Sequence, residues 1–388
     1  MDLSKKNNHF ENYLLKGKLK RNGFEHWRYV FTGINRTTGL QKTFFIELYY
    51  VNPLVSPKEP VIAQKSKLKL SKSELQYALA GTLSAQSAGE EVSVLPSYAL
   101  VKAGVFGKGG KQLNSFKAAE KLDFVKSEQL LKVENCTFGC DLISGQIEVT
   151  ETELRAKPEL LCSAGKIKWN LHFEKNIQCG PLFNRKNTVW LPSGAKTVFA
   201  GSVELDGVEY SVVPRTSYGY IEKSWGLKPV NPFFHLSSSN LTSAISGKLL
   251  SKSSFCIEGE FENQLCCFVE IEGKKIILAG NTLFNKYSEI HNCTQMPADE
   301  EGEKLHWSVS VHRKKLVIDV DIFARTSQML VRDYELPEGG KKLLKVLSGG
   351  DGYGEIKIFK KVKKNLELLE HVRVLDAVCD WGTVDEAD

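Results

Sequence analysis

Two short stretches of the chain place a carboxylate within three residues of a tryptophan and beside other aromatics. The first is Phe24-Glu25-His26-Trp27-Arg28-Tyr29. The second is Tyr218-Gly219-Tyr220-Ile221-Glu222-Lys223-Ser224-Trp225-Gly226, followed by Asn231-Pro232-Phe233-Phe234-His235-Leu236. A carboxyl group in an aromatic pocket loses solvation, so its pKa rises and it holds a proton near neutrality. Such an acid can protonate an alkene, and aromatic faces stabilise the resulting cation by about 0.5–2 kcal/mol each. Glu222 and Glu25 are therefore the candidate catalytic acids. In a regular strand, Tyr218, Tyr220, Glu222 and Ser224 share one face, and Ile221, Lys223 and Trp225 share the other. The plain structural alternative is a buried tryptophan closing a barrel end, with Glu222 and Lys223 held in ion pairs.

Other chemistries lack their residues. There is no GxxxxGK[ST] phosphate loop, no HExxH and no GxSxG. Gly104, Gly107, Gly109 and Gly110 do not spell GxGxxG and read as a hairpin tip. His306 and His312 share a strand face, but six residues of strand hold them roughly 20 Å apart, too far for one metal. Cys136 and Cys140 have no partner pair and read as structural thiols. No metal and no cofactor are expected. Lys357 to Lys364 carries five lysines among apolar residues and reads as a lysine-protected edge strand.

The elements that must position these residues are strands. Ile167, Trp169, Leu171 and Phe173 alternate with polar residues, as do Leu305, Trp307, Val309 and Val311. Leu316 to Ile322 continues the second pattern after a polar break, which predicts a hairpin. Asp206-Gly207, Glu272-Gly273 and Asp351-Gly352 predict further turns between strands. Helices are expected only at 73–84 and within 115–130. This many antiparallel strands points to barrels, since closure removes exposed edges. Lys166 to Phe173 parallels Lys304 to Val311, and Trp225-Gly226 parallels Trp381-Gly382. The reading is an all-β chain of two antiparallel β-barrel domains, 1–240 and 241–388.

Composition supports a folded chain. Of 388 residues, 42% are hydrophobic and 25% charged, so wholesale disorder is excluded. The net charge of +6 is mild at this length and does not call for nucleic acid. No apolar run is long enough for a membrane helix, and the leader lacks a signal-peptide core. Nine scattered cysteines fit reduced thiols, and a cytoplasmic location is expected. Transient membrane contact and oligomeric state are left open.

At these same residues the chain resembles tocopherol cyclase-like proteins, relatives of the carotenoid hydratase and AttH-type lipocalin-like group. Phe24-Glu25-His26-Trp27 is similar to the family's Phe-Glu-Gly-Trp-Tyr opening. Tyr220-Ile221-Glu222-Lys223-Ser224-Trp225-Gly226 is similar to its Tyr-x-Glu-Lys-Asn-Trp-Gly. Gly354-Glu355-Ile356 and Cys379-Asp380-Trp381-Gly382 follow in family order. His26 stands where the family has Gly, Arg28 where it has an aromatic, and Ser224 where it has Asn. The resemblance implies two lipocalin-like barrels and a cavity for a prenylated or otherwise apolar small molecule. It implies acid-promoted cyclisation or hydration, with Glu222 as proton donor and Glu25 as the alternative. Trp27, Tyr220 and Trp225 become cavity aromatics, with Lys223, Phe234 and His235 as further ligand contacts. The runner-up is a non-catalytic carrier of an apolar ligand.

Overall fold

The computed structural model describes residues 14–63, 67–69, 90–92, 94–125, 129–185, 188–279, 286–340 and 342–385. The chain is nearly all β, in two large sheets, one of which contains a small closed barrel. The strands that position the site in the first sheet are β1 (Phe24–Ile34), β2 (Gln41–Val51), β3 (Tyr98–Val105), β4 (Thr188–Leu205) and β5 (Gly219–Gly226). In the second sheet they are β6 (Phe233–Ser238), β7 (Ser254–Phe261), β8 (Leu330–Glu335), β9 (Leu343–Val362) and β10 (Asn365–Asp385). β5 pairs with both β1 and β4, and Val208–Val212 pairs with the same two strands, which closes the ring. The chain changes sheet between Gly226 and Phe233.

The two sheets share a strand order. The first runs β3-β2-β1, with β5 joining β1 to β4, then Gly165–Ile177; the second runs Gln264–Ile271, β7, β6, β10, β9, Leu316–Arg325. β1 and β6 occupy equivalent places, and so do β5 and β10. The registers agree as well: Phe24 lies opposite Gly226, and Phe233 opposite Gly382. The Trp-Gly repeat is therefore a repeat of position. The Trp169 and Trp307 strands are not equivalent, because Trp169 lies next to β4, whereas Trp307 lies one strand further out from β9. Their shared alternation reflects a common burial pattern, with both indoles in a core.

Period-two patterning placed most strands. Asp206-Gly207 and Glu272-Gly273 are hairpin turns, and Leu305–Arg313 forms its hairpin with Leu316–Arg325. Three expectations need correction. Asp351-Gly352 lies inside β9, where irregular pairing to β10 absorbs the glycines without a turn. The described residues of 115–130 hold strands and a 3-10 turn at Ala119–Lys121, not an α-helix; the apolar spacing there serves strands. Of the lysines of 357–364, Lys357 and Lys360 are not on an edge, since β9 there lies between β10 and Leu316–Arg325, whereas Lys361, Lys363 and Lys364 lie past the end of that pairing. The helix expected at 73–84 lies outside the described residues. Among those residues the single α-helix is Glu151–Ala156, capped by the Thr150 hydroxyl accepting from Glu153 N–H.

Alternation along β1 and β5 decides what each sheet face carries. Tyr29, Phe31 and Ile221 point into the first core. Phe24 and Tyr220 point the other way, into apolar clusters shared with the second sheet. The two sheets are thus packed against each other through Trp190, Tyr220, Cys256 and Phe261, and through Tyr49, Tyr98, Tyr334 and Leu344. All nine cysteines are free thiols. No helix among the described residues is long and apolar enough to cross a membrane.

Candidate functional site

The faces of β1 and β5 that meet the second sheet carry Arg28 and Glu222, directly opposite each other in the ladder. Arg28 is fully buried. Its Nη1 lies 3.3 Å from Glu222 Oε1 and 2.6 Å from Oδ2 of Asp380, which β10 supplies from the second sheet. Arg332 on β8 completes a ring. It donates through Nη2 to Asp380 Oδ1 at 3.2 Å, through Nε to Ser348 Oγ at 2.7 Å, and through Nη1 to Glu47 on β2. Glu47 in turn faces Arg28 Nε at 3.8 Å and accepts from the Tyr334 hydroxyl at 2.7 Å. Two guanidiniums and two carboxylates thus alternate across the sheet interface, all closed off from water. Charges removed from water are tolerable only when paired and hydrogen-bonded in this way.

A second cluster adjoins the ring at Glu222. The Trp190 indole N–H and the Tyr220 hydroxyl both donate to Glu222 Oε2, at 2.9 and 2.8 Å. His235 Nδ1 lies 3.7 Å from the same oxygen and 3.0 Å from Glu258 Oε2, while its Nε2 meets Ser237 Oγ at 3.0 Å. Burial works against ionisation of Glu222, yet the His235 ring, the Arg28 guanidinium and the two donors bring it down to about 2. Burial and then the facing Glu222 charge push Glu258 well above the ordinary carboxylate range. Burial takes His235 down to about 4 despite the facing Glu222. Near neutral pH the trio therefore holds one carboxylate, one protonated carboxyl and one neutral imidazole.

This overturns the expectation that Glu222 is the group with the raised pKa. An aromatic surround raises a carboxyl's pKa only when it supplies no charge or donor; here Arg28, Trp190 and Tyr220 supply both. The proton sits on Glu258 instead. Glu222, His235 and Glu258 also bring three possible metal-ligand atoms within 4.8 Å of one another. Glu222 Oε2 is already taken by two donors, a guanidinium lies 3.3 Å from its other oxygen, and Glu258 keeps its proton. The donor set suits a shared proton rather than a cation.

Of the remaining expected residues, Glu25, Trp27, Lys223 and Trp225 lie on the opposite face of the same two strands. Glu25 Oε1 accepts from the Trp27 indole N–H and from Lys223 Nζ, both at 2.9 Å, and Oε2 accepts from Leu15 N–H at 3.0 Å. Lys223 Nζ lies 3.9 Å from the Trp27 ring centroid and 5.2 Å from that of Trp225. This cluster borders a narrow recess in the barrel of the first sheet, with a cavity volume of about 30 Å³. Trp27, Tyr29, Phe124, Phe138 and Phe173 wall it. Glu222 borders the recess, but its carboxylate oxygens bond to Arg28, Trp190 and Tyr220. Phe234 faces away from His235, into the second core.

A second, narrow pocket, with a cavity volume of about 30 Å³, lies between the sheets. Its walls include Phe24, Tyr49, Phe233 and Leu344, and its polar groups include His26, Ser224, Arg332 and Tyr334. It shares Thr188, Pro229 and Val230 with an open surface groove. His26 Nε2 faces Glu47 Oε2 at 3.4 Å, with the Tyr334 and Tyr49 rings centred 5.3 and 6.0 Å from the imidazole. Arg332 and its Tyr334 neighbour hold Glu47 in place. Burial opposes the charge on Glu47, but Arg332 and His26 outweigh it and keep the carboxyl well below its usual range.

Sequence reasoning brought Glu222, Tyr220 and His235 together correctly as neighbours, but grouped Glu25, Trp27, Lys223 and Trp225 with them. It missed Glu47, Glu258, Arg332, Tyr334 and Asp380. The available signal was charge at positions of otherwise apolar strands: Glu47 interrupts Phe44-Phe45-Ile46 and Leu48-Tyr49-Tyr50, and Glu258 follows Phe255-Cys256-Ile257.

No protein-family model matches the sequence, and no curated protein does either. Solved structures of similar fold include an AttH-like protein from Nitrosomonas europaea, 10% identical, with a TM-score of 0.40 over 91% of this chain and 92% of that one. They also include kievitone hydratase from Nectria haematococca, 10% identical, with a TM-score of 0.41 over 95% of this chain and 94% of that one.

Proposed function

We propose that the protein binds an apolar, ring-bearing or prenylated small molecule in the pocket between the sheets and promotes its hydration or ring closure by proton transfer. One observation carries this reading: a largely apolar pocket, which would open to admit the ligand, contains an imidazole, His26, backed by the buried Glu47 carboxylate. A ligand pocket of this kind needs a large apolar wall and a few convergent polar groups. A carboxylate at one ring nitrogen lets an imidazole take up and return a proton. The Tyr49, Tyr334, Phe24 and Phe233 rings would face a developing cation. The resemblance to tocopherol cyclase-like proteins agrees with a prenylated ligand, and in this proposal His26, rather than Glu222 or Glu25, is the proton donor.

The carrier reading has its own support in the barrel recess. Three donors occupy the two oxygens of Glu25, so that site offers a binding environment with its carboxylate already engaged. One experiment separates the two. Native mass spectrometry of protein purified from its own host identifies a co-purified apolar molecule. Incubating protein and that molecule in deuterium oxide then reads proton transfer to carbon. Deuterium incorporation that falls roughly 10²–10⁴-fold in His26→Gln, with binding retained, supports the enzyme. Binding without incorporation supports the carrier, and absence of any apolar ligand removes both.

A further inference from the structure

The lysine-rich turn of the second sheet stands clear of its neighbours. Pairing of β9 with Leu316–Arg325 stops at Lys360, whereas β9 and β10 continue together to Val362 opposite Asn365. The tip therefore projects past the sheet on its own two-stranded ladder. Lys363 and Lys364 form its turn, and Lys360 and Lys361 precede it, all exposed. The next hairpin turn adds exposed Lys314 and Lys315, tied to the tip by Lys361 N–H donating to Lys315 O at 2.6 Å.

Three leucines sit in the same tip. Leu366, Leu368 and Leu369 are 52, 47 and 51% exposed. Beside them, Ala244 N–H donates to His371 O, which lays the following turn along β10 with Ile245 64% and Leu249 55% exposed. Of the nearby acids, Glu370 accepts from the Ser243 hydroxyl and Glu367 lies opposite Lys360. Edge protection accounts for the lysines of this two-stranded tip but not for its leucines. Exposed leucines at a strand end promote association rather than prevent it. A nucleic-acid patch would use the lysines and leave the leucines unexplained.

We propose that this tip docks onto an anionic lipid surface. The lysines would meet acidic headgroups, and the leucines, with Ile245 and Leu249, would enter the headgroup–acyl boundary. Lysine stems lie along apolar surface while their ammonium heads stay in water, which suits that depth. Surface attraction and buried apolar area add in such binding. The proposal stands independently of which pocket holds a ligand.

The test is co-sedimentation of the full chain with phosphatidylserine–phosphatidylcholine vesicles and with phosphatidylcholine vesicles alone. Binding is expected only to the anionic vesicles and to weaken with added salt. Two variants separate the contributions: Leu366→Ser/Leu368→Ser/Leu369→Ser and Lys360→Glu/Lys361→Glu, each checked for native circular dichroism. Each is expected to lower partitioning by at least about tenfold. Equal binding to neutral vesicles, no binding at low salt, or an unaffected leucine variant each overturns the proposal. So does retention on a single-stranded RNA column without vesicle binding.

Discussion

Glu222 and Glu258 share one histidine, yet the chain gives them opposite protonation states. Glu222 faces Arg28 and accepts from Trp190 and Tyr220, so a charge is what its site holds. Glu258 faces Glu222, so a second charge is what its site rejects. The two conservative amide substitutions should therefore differ. Glu222→Gln removes the charge opposite a buried guanidinium and is expected to cost about 3–5 kcal/mol. Glu258→Gln replaces a neutral carboxyl with a neutral amide and is expected to cost about 1 kcal/mol or less. Urea unfolding measures both, and similar losses would contradict the assignment of the proton. Glu222 was readable in the sequence as a candidate acid; its charge state and its partner Glu258 were not, because Arg28 and Glu258 reach it from distant segments.

At the scale of elements, the equivalent pairs β1–β5 and β6–β10 carry the site. Each opens with Phe-x-His, and each first phenylalanine lies opposite the glycine of a Trp-Gly pair. His26 and His235 thus occupy matching positions in the two sheets. The glycine has a steric reason in the second sheet. A Cβ on Gly382 would overlap the Lys345 carbonyl oxygen and lie 2.8 Å from Val346 Cα, both backbone atoms of β9. Backbone cannot rotate away as a side chain can. Gly382→Ala is expected to destabilise by about 1–3 kcal/mol and to perturb the adjacent Asp380. Thermal unfolding checks it; an unchanged midpoint would mean that β9 and β10 separate there at little cost. Alternating sequence made these strands legible. It did not show that the Trp169 and Trp307 strands occupy different places in their sheets, because both bury an indole on one face.

For the whole molecule, the buried cluster makes stability depend on pH. His235 titrates at about 4 in the folded chain, against about 6.5 when unfolded. As pH falls, the unfolded chain takes up that proton first. The contribution is full above about pH 6.5 and is lost towards pH 4. Glu222, at about 2 when folded against about 4.3 unfolded, contributes fully above that range and loses its share below it. Glu258, raised in the folded chain, works in the opposite sense and offsets His235 between about pH 6.5 and 4.3. The urea midpoint is therefore expected to stay level across that window and to fall below it, where Glu222 loses its share. His235→Gln should uncover the Glu258 contribution, so that the midpoint of the variant rises as pH falls from about 6.5 to 4.3. An identical profile in the variant would assign the behaviour to other groups. These groups lie where the sheets meet, and Arg28–Asp380 and Arg332–Glu47 cross that interface.

The sequence by itself determined the all-β architecture, most hairpin turns and the face on which each β5 side chain lies. Those follow from a period of two and from turn chemistry, both local. Tertiary structure alone decided that the expected site residues divide between a barrel recess and a sheet interface. It also decided that Glu222 is ionised and that His26 shares a pocket with Arg332 and Tyr334. These outcomes depend on charges and rings supplied from strands far apart in the chain. Alternation determines the face a residue lies on, but only packing determines what it meets.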